Sequence, residues 1–383
     1  MPIKGKAGKT FGSRSSKALR ERGSVTRFGL VIPIHNAVDH LPMVLADLNL
    51  GEDWDIVLVD DGSTDGSAEL AKSLLPVARI LRNEQPVGPA EARNRGVKEV
   101  KGACVVFLDS DVVASRGVVE GLAHFLESDP SLSAVFGAYD DRPAVQTPVS
   151  RFRNLLHHYV HHRSGGIVPS FWSGFGAVKR EPFEAVGGFD SARYLIPSVE
   201  DIDFGSRLWN AGFKACLEPS LQVTHLKHWT LKNFVVTDVF QRARPWTVMV
   251  LEGRAAKNIL NLNSRFKAPI MLLGLGLLSL AISFGVGAGH WVSLLFGLAY
   301  LSWNVPFYRF AWNHDLGKAG ALLLGLHHLC ALTGASLGVI EHLLGKLKGR
   351  VEPVGTTRSP LDSVGYKVED ATSCAQTHSL HCD

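Results

Sequence analysis

Between Lys267 and Arg309 the chain runs for 41 residues without Asp, Glu, Lys or Arg, and between Lys318 and Glu341 it does so for another 22. Crossing a bilayer takes about 20 predominantly apolar residues. The first stretch is therefore long enough for two spans joined by a tight turn near 287–290, and the second for one. This places candidate transmembrane segments at about 268–288, 290–308 and 319–340, within a membrane region of 267–345. A helix buried in a soluble core is the alternative for each, and His327 and His328 leave it more open for the second stretch.

The remainder must hold whatever is soluble. At roughly 100–200 residues per domain, 383 residues leave room for one further unit beside the membrane region. With 46% of residues hydrophobic and only 20% charged, a disordered scaffold is excluded. Residues 1–27 carry eight of the 40 Lys/Arg and a single acidic residue, Glu21, which leaves the rest of the chain with 32 basic against 35 acidic residues. A surface that tracks nucleic-acid phosphates keeps its cationic excess on the folded body, so no nucleic acid is expected as a partner. Residues 1–27 read as a flexible basic arm and 346–383 as a disordered polar tail. Five cysteines without paired spacing do not form a disulfide framework, and Cys104 and Cys216 read as core. The N-terminus lacks the apolar stretch of a signal peptide, so residues 28–260 are expected in the cytosol.

From Phe28 onward, short apolar runs alternate with helical patterns. Runs at 29–34, 55–59, 78–81 and 104–108 flank helices expected from about 35 to 50, from Asp65 and over 89–100. Fully apolar runs separated by helices predict an α/β domain over 28–228, a mostly parallel sheet with helices on both faces. Residues 130–225, rich in aromatics and glycine, read as a region laid over the sheet end on the acceptor side. Residues 229–266 mix apolar, basic and aromatic side chains and suit amphipathic helices at a bilayer surface.

Carboxylates cluster where strands end, and ligands of open parallel sheets bind beyond those ends. Asp109 and Asp111 follow the run 104–108 and supply hard oxygen ligands suited to Mg²⁺ or Mn²⁺; a solvated turn capping the next helix is the alternative. In the segment 60–65, Asp65 suits a helix N-cap, whereas Asp60 and Asp61 are not both needed for a turn, and a carboxylate there suits the imide N–H of a uracil-type base. Arg93 fits either a diphosphate contact or a helix-surface charge. Glu200, Asp201 and Asp203 sit at a helix N-terminus, which capping explains in part; a general base that deprotonates an acceptor hydroxyl is the other reading. His157, His158, His161 and His162 repeat at i, i+4, but read as a polar interfacial face more readily than as a metal site. His225 ends a β-like run and suits the same cation as Asp109 and Asp111.

Six motifs in order, VIPIHN (31–36), VDDGSTD (59–65), GPAEARNRG (88–96), FLDSDV (107–112), GGFD (187–190) and EDIDFGSRL (200–208), resemble the family 2 glycosyltransferases of GT-A fold from Phe28 to about Trp229. The resemblance implies inverting, metal-dependent transfer from a nucleotide-sugar donor. It implies Pro33, His35 and Asp61 in the base pocket, Asp109 and Asp111 as the metal motif with His225 as a looser ligand, and Asp201 as catalytic base. With the membrane segments, the expected acceptor is lipid-linked or a surface glycan at the cytosolic face. Gln241-Arg242-Ala243-Arg244-Pro245-Trp246 is similar to the QxxRW motif of processive polysaccharide synthases, except that Pro245 intervenes and is expected to interrupt regular hydrogen bonding. Processive synthesis, a non-catalytic nucleotide-sugar-binding membrane module and a nucleotidyltransferase are the alternatives. Basic residues favour the cytosolic side of spans, so Arg265, Lys267, Arg309 and Lys318 suit a hairpin with both ends cytosolic. Lys346, Lys348 and Arg350 after the third segment conflict with a full crossing.

Overall fold

The computed structural model describes residues 26–256, 264–286 and 290–348. The expected tail from 349 onward, all but the last two residues of the basic arm and the turn at 287–289 lie outside the described residues. The first half of the domain alternates as the apolar runs predict: β1 (Phe28–Ile34), α1 (Leu41–Leu45), β2 (Trp54–Asp61), α2 (Ser67–Leu74), β3 (Arg79–Asn83), α3 (Pro89–Glu99) and β4 (Cys104–Leu108). These strands pair in parallel in the order β3-β2-β1-β4. Only α1 departs from expectation: it holds five residues, and the remaining chain to Leu50 turns instead of continuing the helix.

The second half corrects two expectations. It comprises β5 (Val112–Val113), α4 (Arg116–Ser128), β6 (Ala134–Tyr139), α5 (Pro148–His162), β7 (Gly166–Val168), β8 (Phe175–Lys179), α6 (Arg180–Ala185), α7 (Glu200–Asn210) and β9 (Ala215–His225). The full order is β3-β2-β1-β4-β8-β6-β9-β5, with β7 on β9. β8 runs antiparallel to both β4 and β6, so the sheet is mixed and not mostly parallel. Residues 130–225 do not lie over the sheet; they complete it. The apolar run Phe175–Val178 is fully buried because it inserts between β4 and β6, a long-range pairing that a local alternation of runs does not encode. Separate cores cover the two faces of the sheet. One is built on Leu30, Ile32, Leu58 and Val106 with α1 and α4, the other on Val31, Val57, Val105 and Phe107 with α3 and α7.

Beyond β9 come α8 (Leu231–Val236), a π-helical segment π1 (Thr237–Ala243), α9 (Arg244–Leu251), α10 (Ser264–Val286), α11 (Trp291–Asn313) and α12 (Gly317–Lys348). Pro245 does not interrupt the helix as expected. It sits in the first turn of α9, where its missing N–H is tolerated, and π1 immediately before it absorbs the shift in hydrogen-bond register. Arg265–Val286 and Gly317–Leu347 are long and apolar enough to cross a membrane. α11 is as long as α10, but its Asn304, Tyr300, Tyr308 and three tryptophans dilute its apolar character. A third core joins α5 to these helices through Phe152, Leu155, Tyr159, Phe234, Phe307, Ala311 and Leu324.

Candidate active site

Asp109 and Asp111 occupy the turn after β4. The Asp109 N–H donates to the Gly174 carbonyl (3.0 Å) and the Val112 N–H to the Asp109 carbonyl (3.1 Å). β5 then pairs antiparallel with the end of β9, which sets Val112 opposite His225. That rung brings His225 Nε2 to 3.5 Å from Asp111 Oδ2, joining residues far apart in sequence. Tyr139 at the end of β6 stacks on the His225 ring, centroids 4.5 Å apart and planes 13° off parallel, and so fixes the ring orientation. Burial alone would raise the Asp111 carboxyl, but His225 holds it well below the usual carboxylate range.

Asp201 lies in the first turn of α7, next to Glu200, which Arg93 ties to Asp109. Its Oδ1 accepts from its neighbour's backbone, Ile202 N–H (2.8 Å), and its Oδ2 from the Ser173 N–H (3.4 Å). Burial, with Glu200 beside it, pushes its carboxyl up to about 7. The loop 169–174 thus touches both halves of the site, since Gly174 accepts from Asp109 and Ser173 donates to Asp201. Gly174 is required there: a Cβ would stand 2.6 Å from the Trp172 indole. Gly205 is required on α7, where a Cβ would meet the Phe171 backbone nitrogen at 2.3 Å.

Arg93 is not a helix-surface charge. It is 4% exposed and donates to Asp109 Oδ1 (2.7 Å) and Glu200 Oε1 (3.1 Å), with Phe189 under the guanidinium at 5.7 Å. Burial would lower it, yet the two carboxylates hold it firmly charged. Glu200 also fixes the approach to its helix by accepting the Ser198 N–H (2.8 Å). One cation therefore clasps the two acidic turns together.

On the β2 side, Asp61 is buried and accepts from Asn83 Nδ2 (2.7 Å), Val87 N–H (2.9 Å) and Gly88 N–H (2.9 Å), holding the turn ahead of α3. His35 Nδ1 donates to the Asp61 carbonyl (2.7 Å), and its ring is exposed next to half-buried Pro33. Asp65 is not the N-cap of α2, which is Gly66; standing one residue earlier, it accepts from the Ser67 N–H (3.0 Å) and from the Val38 N–H (3.1 Å).

Three of the four histidines of α5 do not form a polar interfacial face; the fourth, His162, is exposed, its ring beside Gln222 (2.9 Å). His161 is buried and donates to the Gly137 carbonyl (3.1 Å), and His158 pairs with the Tyr139 carbonyl (2.9 Å). His157 packs between Tyr139, His161 and Trp172. These rings face the sheet because α5 lies against β6, and they buttress Tyr139. Among the described residues no group of three His, Cys, Asp or Glu side chains converges on one point. Asp111 and His225 meet, whereas Asp109 is turned toward Arg93. Tyr139, Trp172 and Ser173 were not singled out from sequence, although the run FWSGFG stood out by composition.

Residues 30–187 match the family described as Glycosyl transferase family 2. The pre-mycofactocin glycosyltransferase of Mycobacterium tuberculosis is 28% identical over 277 residues, covering 70% of this chain and 54% of that protein. The chain thus spans about half the length of that relative. The N-acetylglucosaminyl-diphospho-decaprenol L-rhamnosyltransferase of the same organism is 27% identical over 223 residues, covering 49% of this chain and 72% of that one. Among solved structures, the mannosyltransferase PcManGT from Pyrobaculum calidifontis, in complex with GDP-Man and Mn²⁺, aligns with a TM-score of 0.51 at 18% identity, covering 84% of this chain and 88% of that chain. At that identity the likeness bears on the fold alone, an α/β GT-A-like fold with a mixed sheet, and it is the match over residues 30–187 that makes this part of the chain a family 2 glycosyltransferase domain.

Proposed function

We propose that the protein transfers a sugar, with inversion, from a nucleotide-sugar donor to the hydroxyl of a lipid-linked or surface-glycan acceptor at the cytosolic face of a membrane. The observation that carries this reading is the meeting of Asp111 with His225 beside Asp109, and the attachment of Asp109 and Asp201 to one loop, 169–174. Asp201 takes the role of general base. Its raised carboxyl matches that role, because a base poised near neutral pH both ionises and accepts a proton effectively. No covalent intermediate is required when the base and the leaving group stand on opposite faces of the sugar.

Two carboxylates and an imidazole, from Asp109, Asp111 and His225, are the oxygen and nitrogen donors that suit Mg²⁺ or Mn²⁺. Such a cation, when bound, supplies charge neutralisation to a departing diphosphate. Pro33, His35 and Asp61 line the proposed base pocket, where Asp61 retains acceptor capacity beyond its three hydrogen bonds. Arg93 acts by holding Asp109 and Glu200 in place, so it meets a diphosphate only if that clasp rearranges. A relative named for a diphospho-decaprenol-linked substrate supports a lipid-linked acceptor, and the Mn²⁺ complex of the aligned mannosyltransferase supports the cation.

The test is a screen of nucleotide sugars with the full chain in detergent and membrane lipid extract as acceptor. Release of nucleoside diphosphate is expected, with inverted anomeric configuration in the product. Excess EDTA is expected to lower the rate at least tenfold, with recovery on adding Mn²⁺ or Mg²⁺. Pyrophosphate as the released product, or donor binding without turnover on any acceptor pool, overturns the proposal.

A further inference from the structure

The helix α12 passes the length and apolarity test for a span, yet its contacts hold it along the catalytic domain from end to end. Just before it, at the C-cap of α11, Arg151 of α5 donates to the His314 carbonyl (2.6 Å), and Leu324 in the second turn of α12 packs in one cluster with Phe152 and Leu155 of α5. At its middle, His327 Nδ1 meets Asp238 Oδ2 (2.6 Å), and the other oxygen of Asp238 accepts from Arg153 of α5 (2.6 Å). Near its end, Glu341 accepts from Arg244 Nε (2.6 Å). Small residues bring the backbones together between these points: a Cβ on Gly334 would stand 2.6 Å from the Val239 carbonyl, and one on Gly338 2.7 Å from the Arg244 carbonyl.

The partner segment, π1 and α9, is itself fastened to the catalytic domain by polar groups. Ser198 donates to the Gln241 carbonyl (3.0 Å), Arg193 to Glu252 (2.6 Å) and Arg254 to Asp203 (2.7 Å). From Gly317 to Glu341 the helix extends about 36 Å, more than the roughly 30 Å hydrocarbon thickness. A crossing helix would carry one end away from a domain seated at one membrane face. Leu324, near its start, instead packs against α5 of that domain, and Glu341, near its end, is held by α9.

The face turned away from the protein forms one exposed stripe: Leu322, Leu329, Thr333, Ser336, Ile340, Leu343 and Leu347. Its two hydroxyls bond back to helix carbonyls, Thr333 to Leu329 and Ser336 to Leu332, so neither needs water. Exposed cations flank the stripe, Arg309 and Lys318 on one side and Lys346 on the other, and the sequence continues with Lys348 and Arg350. An apolar stripe between cationic ends complements an anionic lipid surface, with side chains reaching the acyl region and ammonium groups the headgroups.

We propose that α12 lies in the plane of the membrane interface on anionic lipid, so that only the α10–α11 hairpin crosses and the tail stays on the side of the catalytic domain. This rests on the membrane placement proposed above. It removes the conflict between Lys346, Lys348 and Arg350 and the cationic bias of cytosolic segments, because the three never leave that side.

The test uses the full chain in vesicles containing one-quarter anionic phospholipid. Cys374 and Cys382 are first replaced by serine, while the buried Cys104, Cys216 and Cys330 are kept. Spin labels on Leu322→Cys, Leu329→Cys, Ile340→Cys and Leu347→Cys are expected at one shallow depth, about 5–10 Å below the headgroups. A separate experiment keeps Cys374 and Cys382. They are expected to react with an impermeant maleimide in the same sealed vesicles, and to the same extent, as a Ser128→Cys reporter on the catalytic domain. Labels passing through the bilayer centre, or tail cysteines reactive only after permeabilisation, overturn the inference and leave the membrane placement standing. Failure of the unmodified chain to float with vesicles overturns both.

Discussion

Replacing Asp201 with asparagine is expected to lower kcat about 10³-fold, within the range typical of a removed general base, while leaving donor affinity within a factor of two or three. The amide keeps an oxygen for the Ile202 N–H, gives up only the longer contact from the Ser173 N–H (3.4 Å) and changes little in shape, so loss of activity reports loss of a proton acceptor. The same substitution is expected to stabilise the fold. In the native state the carboxyl sits at about 7 against an ordinary value of 3.8, so the native protein binds this proton more tightly than the unfolded chain. Stability from this group is fully present below about pH 4 and is lost as pH rises to 7. Asparagine removes that loss, so the two proteins should unfold alike near pH 4 and diverge up to pH 7. The shift sets a ceiling of about 4 kcal/mol, and partial exposure reduces the expected gain to about 1–2 kcal/mol. For the wild type, kcat/KM is expected to rise tenfold per pH unit below 7 and then level off. Stopped assays from pH 5 to 9 and thermal melts from pH 4 to 8 check both halves. Transfer at the wild-type rate by the variant would mean that another group accepts the proton.

The second large effect is expected from Arg93→Met. Methionine fills much of the volume but leaves Asp109 and Glu200 facing each other without a cation, and the Glu200 side chain is only 6% exposed. Breaking a buried ion pair from one side costs about 3–5 kcal/mol. Adding Glu200→Gln in the same chain removes one of the stranded charges and is expected to recover at least half of that loss, a coupling that a merely steric defect would not show. Arg93 also helps to keep Asp201 ionised, whereas Glu200 opposes it. The residual activity of Arg93→Met should therefore shift to higher pH, and the double variant should shift back. Denaturation in detergent and a pH profile of the residual rate suffice. A loss under about 1 kcal/mol would remove the clasp from the account.

What sequence could reveal here follows from how local each signal is. β4 was legible because CVVFL is buried on both sides and followed at once by Asp109. Asp65 was legible as marking the start of α2 because its partner, Ser67, is two residues away, although Gly66 takes the N-cap position. β8 and its antiparallel insertion were not, since nothing in FGAVK says which strands it separates. The pairing of Asp111 with His225 depends on a two-residue strand, β5, whose partner lies at the far end of β9. The role of Arg93 was undecidable for a similar reason: its partners stand 16 and 107 residues away, and an arginine on a helix looks the same in sequence whether buried or wet. Pro245 misled because its effect depends on position within the helix, and the π-helical turn that accommodates it has no sequence signature.

The third core has a consequence for how such a chain can vary. Phe152, Leu155 and Tyr159 of the catalytic domain share one apolar cluster with Phe307, Ala311 and Leu324 of the C-terminal helices, and Tyr139 is buttressed from the same α5 helix. Catalytic layer and anchor are therefore not interchangeable modules. An exchange of anchors between relatives would carry half a core with it and disturb the ring that orients His225, so the two parts are constrained to change together.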